Sequence, residues 1–142
     1  MQKPIASLMV VGLLLLAACG TGDTVEPGPI TSFEDIAGTI YENQTRLYFA
    51  GYLQFSEDGT WHGSSSRDLV EDLPGEIWES RFEGTKVFLK QTKGVCVDED
   101  AIANAIYEIH LLENGNLQLV AIEDMCLRRA GPFDGAEYAP VP

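Results

Sequence analysis

Cations are scarce in this chain. Nine Lys and Arg stand against 22 Asp and Glu among 142 residues, a formal net charge of −13, and so few cations cannot replace the counterions of nucleic-acid phosphates. Nucleic acid is therefore set aside as a partner. With 2 His and 3 Cys, no four ligands stand at the spacing of a zinc site, and no metal is expected. No Gly-rich phosphate loop or dinucleotide fingerprint follows a predicted strand, so no cofactor is expected either. A Gly-x-Ser-x-Gly nucleophile turn is also missing. The longest apolar run, residues 5–18 broken only by Ser7, falls short of the about 20 residues a membrane-spanning helix needs. What is present suits one ordinary domain, with 45% hydrophobic residues to build a core.

The apolar run follows a short polar start with one cation, Lys3, the layout of a secretory signal. It ends in Leu16-Ala17-Ala18-Cys19, which resembles the lipobox of bacterial lipoproteins. The resemblance implies that residues 1–18 are a lipoprotein signal peptide and that Cys19 becomes both the N-terminus and the lipidation point. Two or more acyl chains anchor such a protein firmly, at roughly 0.8 kcal/mol per buried methylene. Gly20 follows the cysteine, where lipoproteins kept in the inner membrane of two-membrane bacteria usually have Asp. The expected location is the cell envelope: the outer membrane if the host has one, otherwise the outer face of the cytoplasmic membrane.

Residues 20–32, rich in Gly and Pro, extend Cys19 into a flexible tether over 19–32. The folded domain is expected over 33–130, with 131–142 an irregular tail containing three Pro. Setting Cys19 aside leaves Cys96 and Cys126 in an exported compartment, where one disulfide is expected and two buried free thiols are the alternative.

Between these limits the sequence alternates with period two, and turn residues fall at regular intervals. Asn114-Gly115 is read as a two-residue type I′ loop. That register places Ile109 opposite Val120 and Tyr107 opposite Ile122, giving a core face of Tyr107, Ile109, Leu111, Val120 and Ile122. Asp58-Gly59 and Glu83-Gly84 mark two more hairpins, the latter placing Trp78 opposite Leu89 and Ser80 opposite Val87. A first strand is expected near 39–42, and 125–129 either extends the last strand or closes the sheet. Helix candidates are short, at 32–36 and 68–73. Consecutive local hairpins favour a barrel over a sandwich. The register also carries Cys126 to Ala103, so 97–103 must fold back for Cys96 to reach it.

Ile36-Ala37-Gly38-Thr39-Ile40 resembles the opening of lipocalin-like domains, with Ile40 standing where that family has Trp. The stretch from Cys96 through Tyr107-Glu108-Ile109 and Asn114-Gly115 to Cys126 and Arg128 is similar to small exported bacterial lipocalin-like proteins. This resemblance implies an all-β fold: an antiparallel meander closing as a lipocalin-like up-and-down β-barrel of about eight strands with one short helix. In that family an Arg near the end packs over the opening Trp, a place Arg128 or Arg129 could take.

Several groups carry chemistry in principle. Glu108 and His110 share a strand face but lack a third ligand. His62, Ser64 to Ser66 and Asp68 hold the residue types of a triad without its turn. Asp98-Glu99-Asp100 lacks the spaced oxygens and turn glycine of a calcium loop. No catalytic residue is assigned, and an enzyme is not expected. Tyr48, Tyr52, Trp61, Trp78 and Phe82 are the candidates for a ligand mouth, since barrels lined this way hold one small apolar molecule. The expected function is a membrane-anchored lipoprotein binding a small lipophilic ligand in its barrel. The alternative is a non-enzymatic interaction or inhibitor lipoprotein using an acidic face against a basic envelope protein. A closed barrel is expected to be a monomer.

Overall fold

The computed structural model describes residues 26–45 and 50–142. The expected signal peptide, Cys19 and Tyr48 lie outside the described residues. Nine strands run in chain order: β1 Gly28–Pro29, β2 Ile40–Asn43, β3 Tyr52–Phe55, β4 Thr60–Ser64, β5 Glu76–Glu83, β6 Lys86–Lys93, β7 Asn104–Leu111, β8 Leu117–Asp124 and β9 Glu137–Val141. Two short helices join them, α1 Asp100–Ala103 and α2 Leu127–Phe133, with a 3₁₀ turn at Arg67–Leu69. From β2 onward each strand pairs antiparallel with the next, and β9 pairs back onto β2. The result is a closed up-and-down barrel of eight strands, with β1 added beside β7.

The ring closes in a stretch that sequence reading left irregular. Residues 131–142 contain the end of α2 and all of β9, and 125–129 turns into α2 instead of extending a strand. The prolines concealed β9. Pro140 pairs with Tyr41 of β2, while β8 touches β9 only at Glu137 and Tyr138. Pro140 therefore sits on a locally one-sided stretch, where a missing N–H does no harm. The expected tether is likewise shorter, because Gly28 and Pro29 pair with β7 and Ile30 is buried. Of the helix candidates, 32–36 forms a single turn and 68–73 overlaps the 3₁₀ turn.

Two hairpin registers differ from expectation, with unequal consequences. The Asn114 loop has three residues: Leu112 N–H bonds to Asn116 O and Gly115 N–H to Leu112 O. Gly115 takes φ 83°, the left-handed position that follows a type I turn in such loops. This shifts the pairing by one, to Ile109–Leu119 and Tyr107–Ala121. A one-residue slip exchanges the faces, so Leu117 and Leu119 are buried and Ile122 is 49% exposed. The Glu83 hairpin instead turns on Gly84 and Thr85, and Ser80 meets Leu89 and Trp78 meets Gln91. A two-residue slip preserves the face, and Trp78, Val87 and Leu89 stay inside as expected.

Aromatic rings fill the interior. Trp61 and Trp78 pair across β4 and β5 with ring centroids 6.3 Å apart. Phe55 stands 4.9 Å from Trp61, and Phe133 of α2 reaches Trp78 at 5.4 Å and Tyr107 at 6.0 Å. Phe33 covers Phe82 at 4.6 Å and Trp61 at 6.2 Å. The inward position beside Trp61 on β4 is Gly63 because the Trp78 ring occupies that space: an added Cβ would lie 2.7 Å from it.

Candidate functional site

The predicted aromatic set does not form one mouth. Trp61 and Trp78 meet, but both are fully buried in the packed core. Phe82 is half-buried and touches Phe33, which in turn touches Trp61. Tyr52 belongs to the outer wall, where its hydroxyl donates to Glu42 Oε1 at 2.8 Å. The Trp61 Nε1 hydrogen has no acceptor among the described residues.

At the barrel end where β6 and β8 finish and β7 begins, a polar cluster ties α1 and α2 to the strand ends. Arg129 and Asp124 form a two-armed ion pair, Nε to Oδ2 at 2.7 Å and Nη2 to Oδ1 at 2.8 Å, with both side chains fully buried. Arg129 also donates to the carbonyls of Ile102 at 2.9 Å and Ala103 at 3.1 Å. Those are last-turn carbonyls of α1, which have no partner within the helix. Tyr107 and Cys126 N–H donate to Asp124, completing its shell. Arg129 is thus the buried member of the Arg128–Arg129 pair, and Arg128 is exposed. Beside this cluster Cys96 and Cys126 are joined as a disulfide, Cα atoms 6.2 Å apart. The segment between Cys96 and β7 folds back through α1, as the bridge requires.

Burial pushes the Tyr107 phenol far up, aided by its bond to Asp124, and burial raises Tyr138 as well. Both keep their protons in the fold above pH 10.0, where the unfolded phenol loses them. A raised folded value means stability that is complete below the unfolded pKa and lost as pH climbs toward the folded one. Stability is therefore expected to fall above pH 10.0. Urea unfolding across that value checks it, with a shallower alkaline fall expected for Tyr138→Phe; an identical fall would remove Tyr138 from the account.

A groove lies on the outer wall. It has a volume of about 870 Å³ and runs over β5, β6, β7 and the α1 segment. Strand pairing lays Arg81, Phe88, Ile106 and Glu123 in one row across four strands, and Met125 forms part of the rim. The Arg81 guanidinium stacks on the Phe88 ring at 4.7 Å, and Lys90 pairs with Asp100 at 3.3 Å. Exposed pairs of this kind contribute at most about 1 kcal/mol. The floor is apolar and the rim carries charges of both signs. The sequence contained a signal for this site. Val87-Phe88-Leu89 and Ala105-Ile106-Tyr107 are apolar at three consecutive positions, so Phe88 and Ile106 place apolar surface on a face that alternation reserves for polar residues.

The other candidates have ordinary settings. His110 and Glu108 bond at 2.8 Å on the outer face, Thr85 donates to Glu108, and these bonds hold the Glu108 carboxyl below its usual range. Ser64 Oγ accepts from Ser66 N–H at 3.1 Å in the turn leaving β4. Asp98, Glu99 and Asp100 are exposed. No protein-family model matches the chain, and neither does any curated protein or solved structure.

Proposed function

We propose that this chain is an extracytoplasmic lipoprotein, anchored to a membrane through lipid on Cys19, which works by binding and not by catalysis. Its ligand is a small hydrophobic molecule, held on the outer wall of the barrel over Phe88 and Ile106. The observation that carries this reading is the groove of about 870 Å³, within the range of small-molecule sites, on a barrel whose interior is filled by its own aromatics. A second reading, a basic envelope protein held against an acidic face, draws on the net charge of −13 and on the exposed Asp98, Glu99 and Glu123 near the groove. In both readings the protein is a monomer, since a closed ring leaves no long free edge for self-pairing.

Native mass spectrometry of the full chain extracted from its membrane tests the site. A lipophilic mass is expected to accompany the protein, to be absent from Phe88→Asp and Ile106→Asp, and to persist in Tyr52→Phe. A ligand retained by both groove variants would place binding elsewhere. Cys19→Ser is expected to leave the protein unprocessed or released, and unchanged membrane retention would sink the anchor.

A further inference from the structure

The disulfide wears a collar of exposed apolar side chains. Seven large hydrophobics are exposed among the described residues, and four of them flank the two half-cystines. Val95 and Val97, exposed by 37% and 40%, stand on either side of Cys96; Met125 and Leu127, exposed by 66% and 83%, stand on either side of Cys126. The cysteines themselves are buried, and the fully buried Arg129–Asp124 pair joins α2 to the end of β8. Four apolar groups are thus presented outward from a cross-linked base, which has little conformational freedom left to lose on binding.

Two observations choose the occupant. The first is charge. Asp98, Glu99 and Glu123 are exposed around the collar and form no ion pair among the described residues. Arg128 offsets them in part, on a chain whose whole field is negative. The second is position. Gly28 pairs with Leu111, at the end of β7 opposite the collar, so the chain enters the barrel about eight residues of strand away, on the order of 25 Å. With the anchor proposed on Cys19, the collar stands at the end of the barrel far from where the tether joins, and an anionic lipid surface would repel the acidic rim.

We infer that this collar is a docking site for a protein partner whose contact surface carries an apolar anchor flanked by Lys and Arg. It is separate from the small-molecule groove, although Met125 borders both, and it rests on the proposed membrane anchor and on the partner charge of the second reading above.

The test uses the full chain in phosphatidylcholine nanodiscs, titrated with two synthetic helical peptides of equal Leu content, one with a Lys face and one with a Glu face. Empty nanodiscs provide the blank. The Lys peptide is expected to bind about tenfold tighter or more, and to weaken as salt rises. Met125→Asp with Leu127→Asp is expected to lose about tenfold, while Leu73→Asp, an exposed site elsewhere, and Phe88→Asp, in the groove, stay within about twofold. Equal affinities for the two peptides, or indifference to the collar substitutions, overturns the proposal. Loss in Phe88→Asp moves the contact into the groove and overturns it as well, leaving the groove reading intact. A Leu127→Trp reporter distinguishes the lipid alternative: its emission is expected to be unaffected by brominated lipid, and quenching would put the collar on the bilayer instead.

Discussion

Arg129→Ala is expected to lower the unfolding free energy by about 3–5 kcal/mol, the cost of leaving one partner of a buried ion pair uncompensated. Neither side chain has exposed surface. Removing the guanidinium strands the Asp124 carboxylate and also withdraws donors from the carbonyls of Ile102 and Ala103. In a domain of this size such a loss lowers the thermal midpoint by about 10–25 °C. The paired variant Asp124→Asn with Arg129→Met removes both charges together, so it is expected to cost less than the sum of its single substitutions. Calorimetry and urea unfolding of Arg129→Ala, of the two single substitutions and of the pair measure this. An Arg129→Ala loss below about 1 kcal/mol, the range of surface pairs, would mean that the pair is solvated and does not hold α1 and α2 to the barrel end.

Opening the Cys96–Cys126 bridge is expected to remove roughly 3.5–4 kcal/mol in the chain-entropy account, given its sequence separation of 30. Paired Cys96→Ser and Cys126→Ser replacement tests it without a reductant. Both cysteines are buried, so slow reduction of the native protein is the accompanying expectation. Local protease cutting should appear first between Cys96 and α1, where exposed acidic residues lose their nearest covalent restraint. The effect is not expected to add to that of Arg129→Ala, because both act on the contact between the α1 segment and α2. A stability loss near zero would show that the pair holds together without the bond.

The legible parts of this protein were those written in local spacing. Turn residues at Asp58-Gly59, Glu83-Gly84 and Asn114-Gly115 marked three hairpins that exist, because a reversal requires particular backbone angles whatever surrounds it. Parity was less secure than position. The loop at Glu113-Asn114-Gly115 is one residue longer than an Asn-Gly loop, and that single residue moved Val120 and Ile122 out of the predicted core. Closure was hidden by Pro140, which reads as a breaker until its one-sided pairing is seen.

The aromatic candidates illustrate the same limit. Trp61 stood out because its strand was otherwise polar, and it was read as a ligand contact. Its reason is instead Trp78 across the pair and the space left by Gly63. Phe88 and Ile106 drew no notice, though they interrupt the alternation of their strands and form the groove floor.

By itself the sequence determined the strand and turn composition, an all-β meander and one cysteine pair able to bridge, since each depends on interactions between near neighbours or on simple counting. Tertiary structure alone decided which strand closed the ring, which of two adjacent arginines was buried, and that a groove opens on the wall outside an aromatic core. Those outcomes depend on volumes meeting across the barrel. Aromatic rings from eight separate segments compete for one interior, and how they pack is fixed only when all of them are in place.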